Sequence, residues 1–202
     1  GRDRNFVIYD TDDQLTLIKE CMNELGINDK EYPPRSISGA ISQAKNQLLT
    51  PAGFERQAYD QFSHTVAKVY HLYQEKISRN NAVDFDDLIF LTVRLFKEYP
   101  QVLAYYQDRF RHILVDEYQD TNHAQYVLIN LLAEKHRNLM VVGDPDQGIY
   151  SWRGADINNI LSFERDYPEA RVIKLERNYR STGAILEAAN HLIRYNINRK
   201  DK

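Results

Sequence analysis

Apolar residues recur every three or four positions along the first half of this chain, and gather into short unbroken runs along the second. The first spacing is that of helices with one buried face. Asp10-Thr11 offers a cap for a helix through Leu15, Ile18, Met22 and Leu25 that stops at Gly26. Pro33-Pro34 breaks the chain, and a second helix follows through Ile37, Ile41 and Leu48. Pro51 opens a long third helix with the stripe Phe54, Ala58, Phe62, Val66, Val69, Tyr73 and Ile77, closed by Asn80-Asn81. Asp84 to Glu98 predicts a fourth, ending before Pro100.

Near Phe110 the texture changes. Three short apolar runs follow: His112 to Val115, Asn138 to Val142, and Arg171 to Leu175. Helical patterns separate or follow them, at Ala124 to Lys135, Ile157 to Arg165, and Gly183 to Arg194. Apolar strands alternating with helices predict a parallel sheet covered on both faces. The expected fold class is therefore α/β. A helical part, residues 1–110, precedes a strand–helix part, residues 111–202. Ligands of such sheets sit at the carboxyl ends of the strands.

Composition narrows the class without deciding it. The 202 residues are 43% hydrophobic and 27% charged, as in ordinary globular proteins. No apolar run approaches the ~20 residues that span a bilayer, and the charged start Gly1-Arg2-Asp3-Arg4-Asn5 is not a signal peptide. No membrane partner is expected. The single cysteine, Cys21, can form no internal disulfide, which fits a reducing, cytoplasmic setting. It sits among Ile18, Met22 and Leu25 at helical spacing, the place of a core residue. A net charge of −3 is not that of a protein coated in phosphate contacts. A local groove with aromatic rings can still grip one strand, and 14 tyrosines supply rings.

The unusual chemistry falls where the apolar runs end. After Leu114-Val115 come Asp116-Glu117-Tyr118-Gln119-Asp120. One acid can join the octahedral shell of a magnesium ion, and the other can orient or deprotonate a water. Two acids after a strand fit solvated surface carboxylates equally well. After the second run comes Gly143 to Asp156, with Gln147 able to hydrogen-bond a phosphate and Tyr150, Trp152 and Arg153 close together between glycines. Those aromatics suit base stacking, and suit equally the core anchors of a strand–helix corner. The third run leads into Glu176-Arg177-Asn178-Tyr179-Arg180-Ser181-Thr182. There Arg180 can neutralise a transferring phosphoryl group, or be a plain surface arginine beside a helix cap.

Taken in order, these stretches resemble the UvrD/Rep/PcrA-type helicases of superfamily I. The likeness runs from Asn5-Phe6 to Asn198-Arg199-Lys200. It is most specific at Asp116 to Asn122, Gly143 to Asp156 and Leu175 to Ser181, which look like motifs II, III and IV, and at Val83-Asp84-Phe85-Asp86-Asp87-Leu88. The resemblance implies a helical 1B-type subdomain followed by part of a RecA-like sheet, an incomplete P-loop NTPase fold. It implies ATP and Mg2+ as cofactors, with Asp116 and Glu117 at the metal and Glu117 as catalytic base. Gln147 would sense the γ-phosphate, Tyr179 would sit against adenine, and Arg180 would act as an arginine finger. Tyr150 and Trp152 would stack on DNA, with Arg153 linking their loop to its surroundings. The implied partners are single-stranded DNA, single-strand/duplex junctions and the remaining helicase domains, in a bacterial-type cytoplasm with 3′ to 5′ movement.

Two positions depart from the family pattern, Gly148 where serine is usual and Arg177 where glutamine is frequent. No G-x-x-x-x-G-K-[ST] loop occurs in the chain. The resemblance places that loop upstream, so half an ATP site is expected here. Two other classes compete: a non-catalytic single-strand-binding or interaction module, and a metal-dependent nuclease using Asp84, Asp86, Asp87, Asp116 and Glu117. A nuclease needs those acids to converge, whereas Asp86-Asp87 also suits the charged start of a helix. The purified 202-residue chain is expected to show no ATP turnover above background. Magnesium- and DNA-dependent phosphate release in a coupled assay would overturn that expectation.

Overall fold

A computed structural model describes residues 3–195. It divides the chain into two compact units. One comprises residues 3–113 with Asn122–Asn138, and the other Leu114–Thr121 with residues 139–195. The helix after the acid pair thus groups with the helical unit, where the expected division had left it with the sheet.

The first unit opens with a short strand, β1 (Val7–Tyr9), and α1 (Thr11–Glu24). Asp10 caps α1 by accepting from the N–H groups of Asp12 and Asp13, while Asp13 reaches back to the Asp10 N–H. Next come α2 (Pro34–Asn46), α3 (Pro51–Glu55), α4 (Gln61–Arg79), β2 (Ala82–Asp84), α5 (Phe85–Glu98), α6 (Pro100–Arg109) and α7 (His123–Ala133), with β3 (Ile113–Val115), where the chain passes into the second unit, between α6 and α7. The stripes predicted from the sequence form the core: Leu17, Ile18, Cys21 and Met22 of α1 meet Ile37, Ile41 and Ala44 of α2 and Val66, Val69, Tyr70, Tyr73 and Ile77 of α4. Burial pushes the Cys21 thiol up to about 11, so it is a packing residue.

Two expectations for this unit are corrected. The single helix from Pro51 to Ile77 is two helices. Asp60 accepts the Ser63 N–H at 2.7 Å while Ser63 Oγ accepts the Asp60 N–H at 3.1 Å. This reciprocal cap starts α4 afresh. The apolar stripe runs across the break because Phe54 still packs edge-on against Tyr70. The unit also contains a parallel pair, β1 with β2, in the register Val7–Ala82, Ile8–Val83 and Tyr9–Asp84. Three-residue strands are too short to show a period in the sequence.

Beneath that pair lies a buried ionic cluster. Lys45 Nζ stands 2.5 Å from Asp84 Oδ2 and 2.9 Å from Asp87 Oδ1, with all three side chains 3% exposed or less. Tyr73 OH donates to Asp84 Oδ2 at 2.9 Å and Gln74 Nε2 to Asp87 Oδ1 at 3.2 Å. The two aspartates also cap α5 reciprocally. Asp86 bonds to Ser42, and burial raises its pKa. Asp84, Asp86 and Asp87, three of the five acids considered for a nuclease, are thus neutralised or hydrogen-bonded as parts of the fold, which argues against that reading.

The second unit is built on β3 and β4 (Leu139–Val141), which pair with each other. The bonds from Ile113 N–H to Asn138 O and from Val142 N–H to Val115 O give a parallel ladder. Two short helices, α8 (Asn158–Leu161) and α9 (Phe163–Asp166), follow, then α10 (Gly183–Ile193). The third expected strand is not formed. Residues 171–178 are irregular, and Val172, Ile173 and Leu175 are exposed. A parallel strand exists only by pairing with a neighbour, and among the described residues none pairs with this run. The predicted helix over 157–165 is likewise split at Ser162 into α8 and α9.

Removing the lysine would strand two buried carboxylates. Lys45→Ala is expected to lower the unfolding free energy by about 3–5 kcal/mol, read from urea titration by circular dichroism. Arg94→Ala, which breaks only the exposed pair with Glu98, is expected to shift it by about 0.5 kcal/mol or less.

Candidate functional site

The site starts where β3 ends. Asp116 Oδ1 accepts the N–H of Glu117 at 2.9 Å. Glu117 then adopts φ +49, ψ +44, a left-handed conformation that disfavours side chains. Such backbones cost of order 1–3 kcal/mol and persist where the surroundings impose them. Here the imposing bonds are visible. Tyr118 N–H donates to Val142 O at 2.9 Å, and the buried Tyr118 ring meets Phe163 edge-on at 5.7 Å. The reversal leaves Asp116 and Glu117 exposed while Tyr118 and Gln119 are buried.

Gln119 is 1% exposed and uses both ends of its amide. Nε2 donates to Glu117 Oε2 at 2.7 Å and to Asp120 Oδ2 at 3.2 Å. Oε1 accepts the Asp144 N–H at 3.1 Å, just past β4. A Cβ on Gly143 would lie 2.5 Å from that Oε1 and 2.8 Å from Ile160 Cδ1, so a glycine is required for this approach. Asp144 in turn accepts the Asp146 N–H at 3.0 Å and the Gln147 amide at 2.9 Å.

The loop beyond Gln147 carries exposed aromatics. Trp152 is 73% exposed and Tyr150 39%, which rules out the alternative of core anchors. Arg153 Cζ lies 4.6 Å from the Trp152 ring and 5.5 Å from Tyr150, bracing both. Gly154, at φ +86, turns the loop back. Its far end is fastened to the acid turn: Thr121 O accepts the Asp156 N–H at 2.9 Å and Asn159 Nδ2 at 3.0 Å. Residues 117–121 therefore hold the loop 144–156 at both ends. Gly148 has φ −69, a backbone any residue adopts, but a Cβ there would lie 2.9 Å from Ile157 Cδ1.

Tyr179 and Arg180 stand elsewhere. Asn178 Oδ1 accepts the N–H groups of Arg180 and Ser181, both at 2.9 Å, and Arg177 lies over the Tyr179 ring at 5.1 Å. Tyr179 is 84% exposed. Among the described residues, no hydrogen bond, ion pair or ring contact joins either one to Asp116, Glu117 or Gln147. Arg177, the departure from the family pattern, thus packs on a candidate residue.

The donor set fits magnesium held mostly by water and phosphate. Each acid has one oxygen engaged within the turn and the other without a hydrogen bond among the described residues. No group of three or more potential ligands occurs among those residues, as an all-protein cage would need. Magnesium commonly takes only one or two carboxylates.

A model of the UvrD/REP helicase N-terminal domain matches residues 1–168. The chain belongs to that family. It is 57% identical over all 202 residues to "ATP-dependent DNA helicase PcrA" of Staphylococcus aureus (strain Mu50) and 56% identical to the protein of that name in Staphylococcus epidermidis (strain ATCC 12228). All of this chain is covered in both cases, and 28% of each relative. The UvrD/REP-family chain thus spans less than a third of the length of the relatives it matches. Among its described residues, no helix is long and apolar enough to cross a membrane.

In this UvrD/REP-family chain the sequence reading gave no role to Gln119, Thr121 and Asp144, although they stand inside the stretches Asp116 to Asn122 and Gly143 to Asp156, and passed over Asn159; these four connect the acids to the aromatic loop. Asn159 is 7% exposed and gives Nδ2 to both Thr121 O and Thr121 Oγ1, the latter at 3.1 Å. Asn159→Ala is expected to cost about 1–3 kcal/mol in urea unfolding followed by Trp152 fluorescence. It should also speed exchange of the Asp156 amide.

Proposed function

We propose that this chain is part of an ATP-dependent DNA helicase that moves 3′ to 5′ along one strand and unwinds duplex at single-strand/duplex junctions. One observation carries the reading: within a single small unit, hydrogen bonds run from an acid pair at a strand end to Gln147, at the start of the loop that exposes Tyr150, Trp152 and Arg153. The relatives, ATP-dependent DNA helicases by name, suggest the nucleotide and the nucleic acid. On this reading the helical unit corresponds to a 1B-type insertion, and the second unit to the later part of the first RecA-like domain. The remaining helicase domains of a longer chain are its partners.

The residues divide the work. Bound ATP and Mg2+ supply the scissile phosphoanhydride and neutralise its charge. Asp116 offers a carboxylate oxygen to the metal. Glu117, held by Gln119, takes the proton of an attacking water at its remaining oxygen. Gln147 reaches the terminal phosphate by exchanging its bond to Asp144, which pulls on the start of the loop. Tyr150 and Trp152 stack on bases, with Arg153 keeping the rings apart and facing outward. Tyr179 sits against adenine, and Arg180 meets charge developing on the phosphoryl group. For the 202 residues alone the same loop supports single-strand binding without turnover, because no phosphate-binding loop motif occurs among them.

Trp152 is the single tryptophan and therefore its own probe. Titration with single-stranded DNA is expected to quench its fluorescence saturably and less at higher salt. Tyr150→Ala should weaken binding by about 1–3 kcal/mol. An unchanged signal from a chain shown to be folded by circular dichroism would overturn the assignment of this loop to DNA.

A further inference from the structure

We infer that Gln119 is a positioning residue that sets the carboxylate of Glu117 and locks it to the loop bearing Gln147. The inference rests on the proposed role of Glu117 as base and extends it to a neighbouring amide to which the sequence reading gave no role.

The geometry leaves Gln119 little other purpose. A buried amide must have its donors and acceptor met. Glutamine has one acceptor oxygen and two donors on a single planar group. Here the oxygen meets the Asp144 N–H at 3.1 Å, and the nitrogen meets Glu117 Oε2 at 2.7 Å and Asp120 Oδ2 at 3.2 Å. Only an amide satisfies both sides. A carboxylate would present oxygens to Glu117 and Asp120, and an apolar side chain would satisfy nothing. The plane of this amide therefore fixes two things at once: the direction of the Glu117 carboxylate and the position of the Asp144 backbone.

The lock extends one step further. Asp144 Oδ2 accepts from Gln147 Nε2 at 2.9 Å, so Glu117, Gln119, Asp144 and Gln147 form one chain of bonds. A change at Gln147 reaches Glu117 through three contacts. The left-handed backbone at Glu117 makes the hold necessary: its side chain leaves a reversed turn, and the Gln119 amide is its one hydrogen-bond partner among the described residues. Gly143 belongs to the same device, since any Cβ there would collide with Gln119 Oε1 at 2.5 Å.

The test uses the full-length helicase that carries this segment and three variants. Gln119→Glu keeps the size and the acceptor for Asp144 but removes the donor to Glu117. Gln119→Met removes both. Gly143→Ala leaves Gln119 in place and pushes it aside. Each is expected to lower kcat for ATP by about 10- to 100-fold, the scale on which outer-shell partners act, with KM within about twofold. Hydrogen exchange across 143–147 should quicken in Gln119→Met and Gly143→Ala and stay slow in Gln119→Glu. A residue needed only for folding would lower stability without this split between kcat and KM. If Glu117→Gln abolishes turnover while all three variants keep the parental kcat, the inference is overturned. If Glu117→Gln itself turns over at the parental rate, the proposed role of Glu117 fails, and the inference with it.

Discussion

The left-handed backbone at Glu117 is the constraint from which the candidate site is built. A strand leaving a sheet ordinarily alternates its side chains between two faces. Reversing the chain at one residue breaks that alternation, so two successive acids face solvent while the next two residues turn inward. The inward pair then does two different jobs. Tyr118 anchors the turn through an aromatic contact with Phe163, and Gln119 carries the polar link to the end of β4. Without the reversal, Gln119 would not lie beneath Glu117, and the loop from Asp144 to Asp156 would be fastened only at its Thr121 end. The strain is local, and so are the bonds that oppose it.

The helical unit solves another problem with the same class of residue. Two aspartates at the end of a buried strand would be costly if left alone. Lys45 reaches them from α2, Tyr73 from α4, and the first turn of α5 closes around them through reciprocal caps. One buried cation thereby joins three helices and a strand. Such clusters add less to stability than an apolar replacement would, but they tolerate few alternative registers. The acid-rich stretch from Asp84 to Asp87 thus shapes the fold, whereas the chemically similar pair Asp116-Glu117 remains open to solvent. Exposure and partners separate the two, not composition.

Much of this was legible from the residues. The cap at Asp10 and the inner positions of the stripes, Ile18 and Met22 of α1, Ile37 and Ile41 of α2, and Val66, Val69, Tyr73 and Ile77 of α4, follow helical spacing and are buried, whereas Leu25 and Phe62 at the stripe ends are exposed. Asp116, Glu117, Trp152 and their neighbours were legible because strand ends concentrate polar chemistry. The break at Asp60 was not, because a reciprocal cap with Ser63 overrode a continuous apolar stripe. The pair β1–β2 was not, because three residues cannot show alternation. The run Arg171 to Leu175 has the composition of a strand and is not one, since pairing depends on a neighbour that composition does not supply. Gln119 was hidden for a related reason: a single amide between two loops leaves no period to detect.

The sheet itself argues for a larger assembly around the second unit. Parallel pairs are normally covered on both faces and continued at both edges. Here β3 and β4 make a ladder of two, with Leu114 73% exposed and Met140 56% exposed. Val172, Ile173 and Leu175 add apolar surface nearby in sequence, and α10 exposes Ile185 and Leu192. Large apolar side chains left this exposed in number are uncommon on the surface of a stable protein unless another surface covers them. The relatives are more than three times as long as the segment they share with this chain. Additional strands beside β3 and β4 would bury these side chains and pair the run 171–175. They would also bring further groups to the carboxyl ends of the strands, where Asp116 and Glu117 already stand. The hydrogen-bonded acid turn needs none of them to form, which is why it reads clearly by itself, whereas Tyr179 and Arg180, carried beyond an unpaired segment, have no bond of their own to the acid pair.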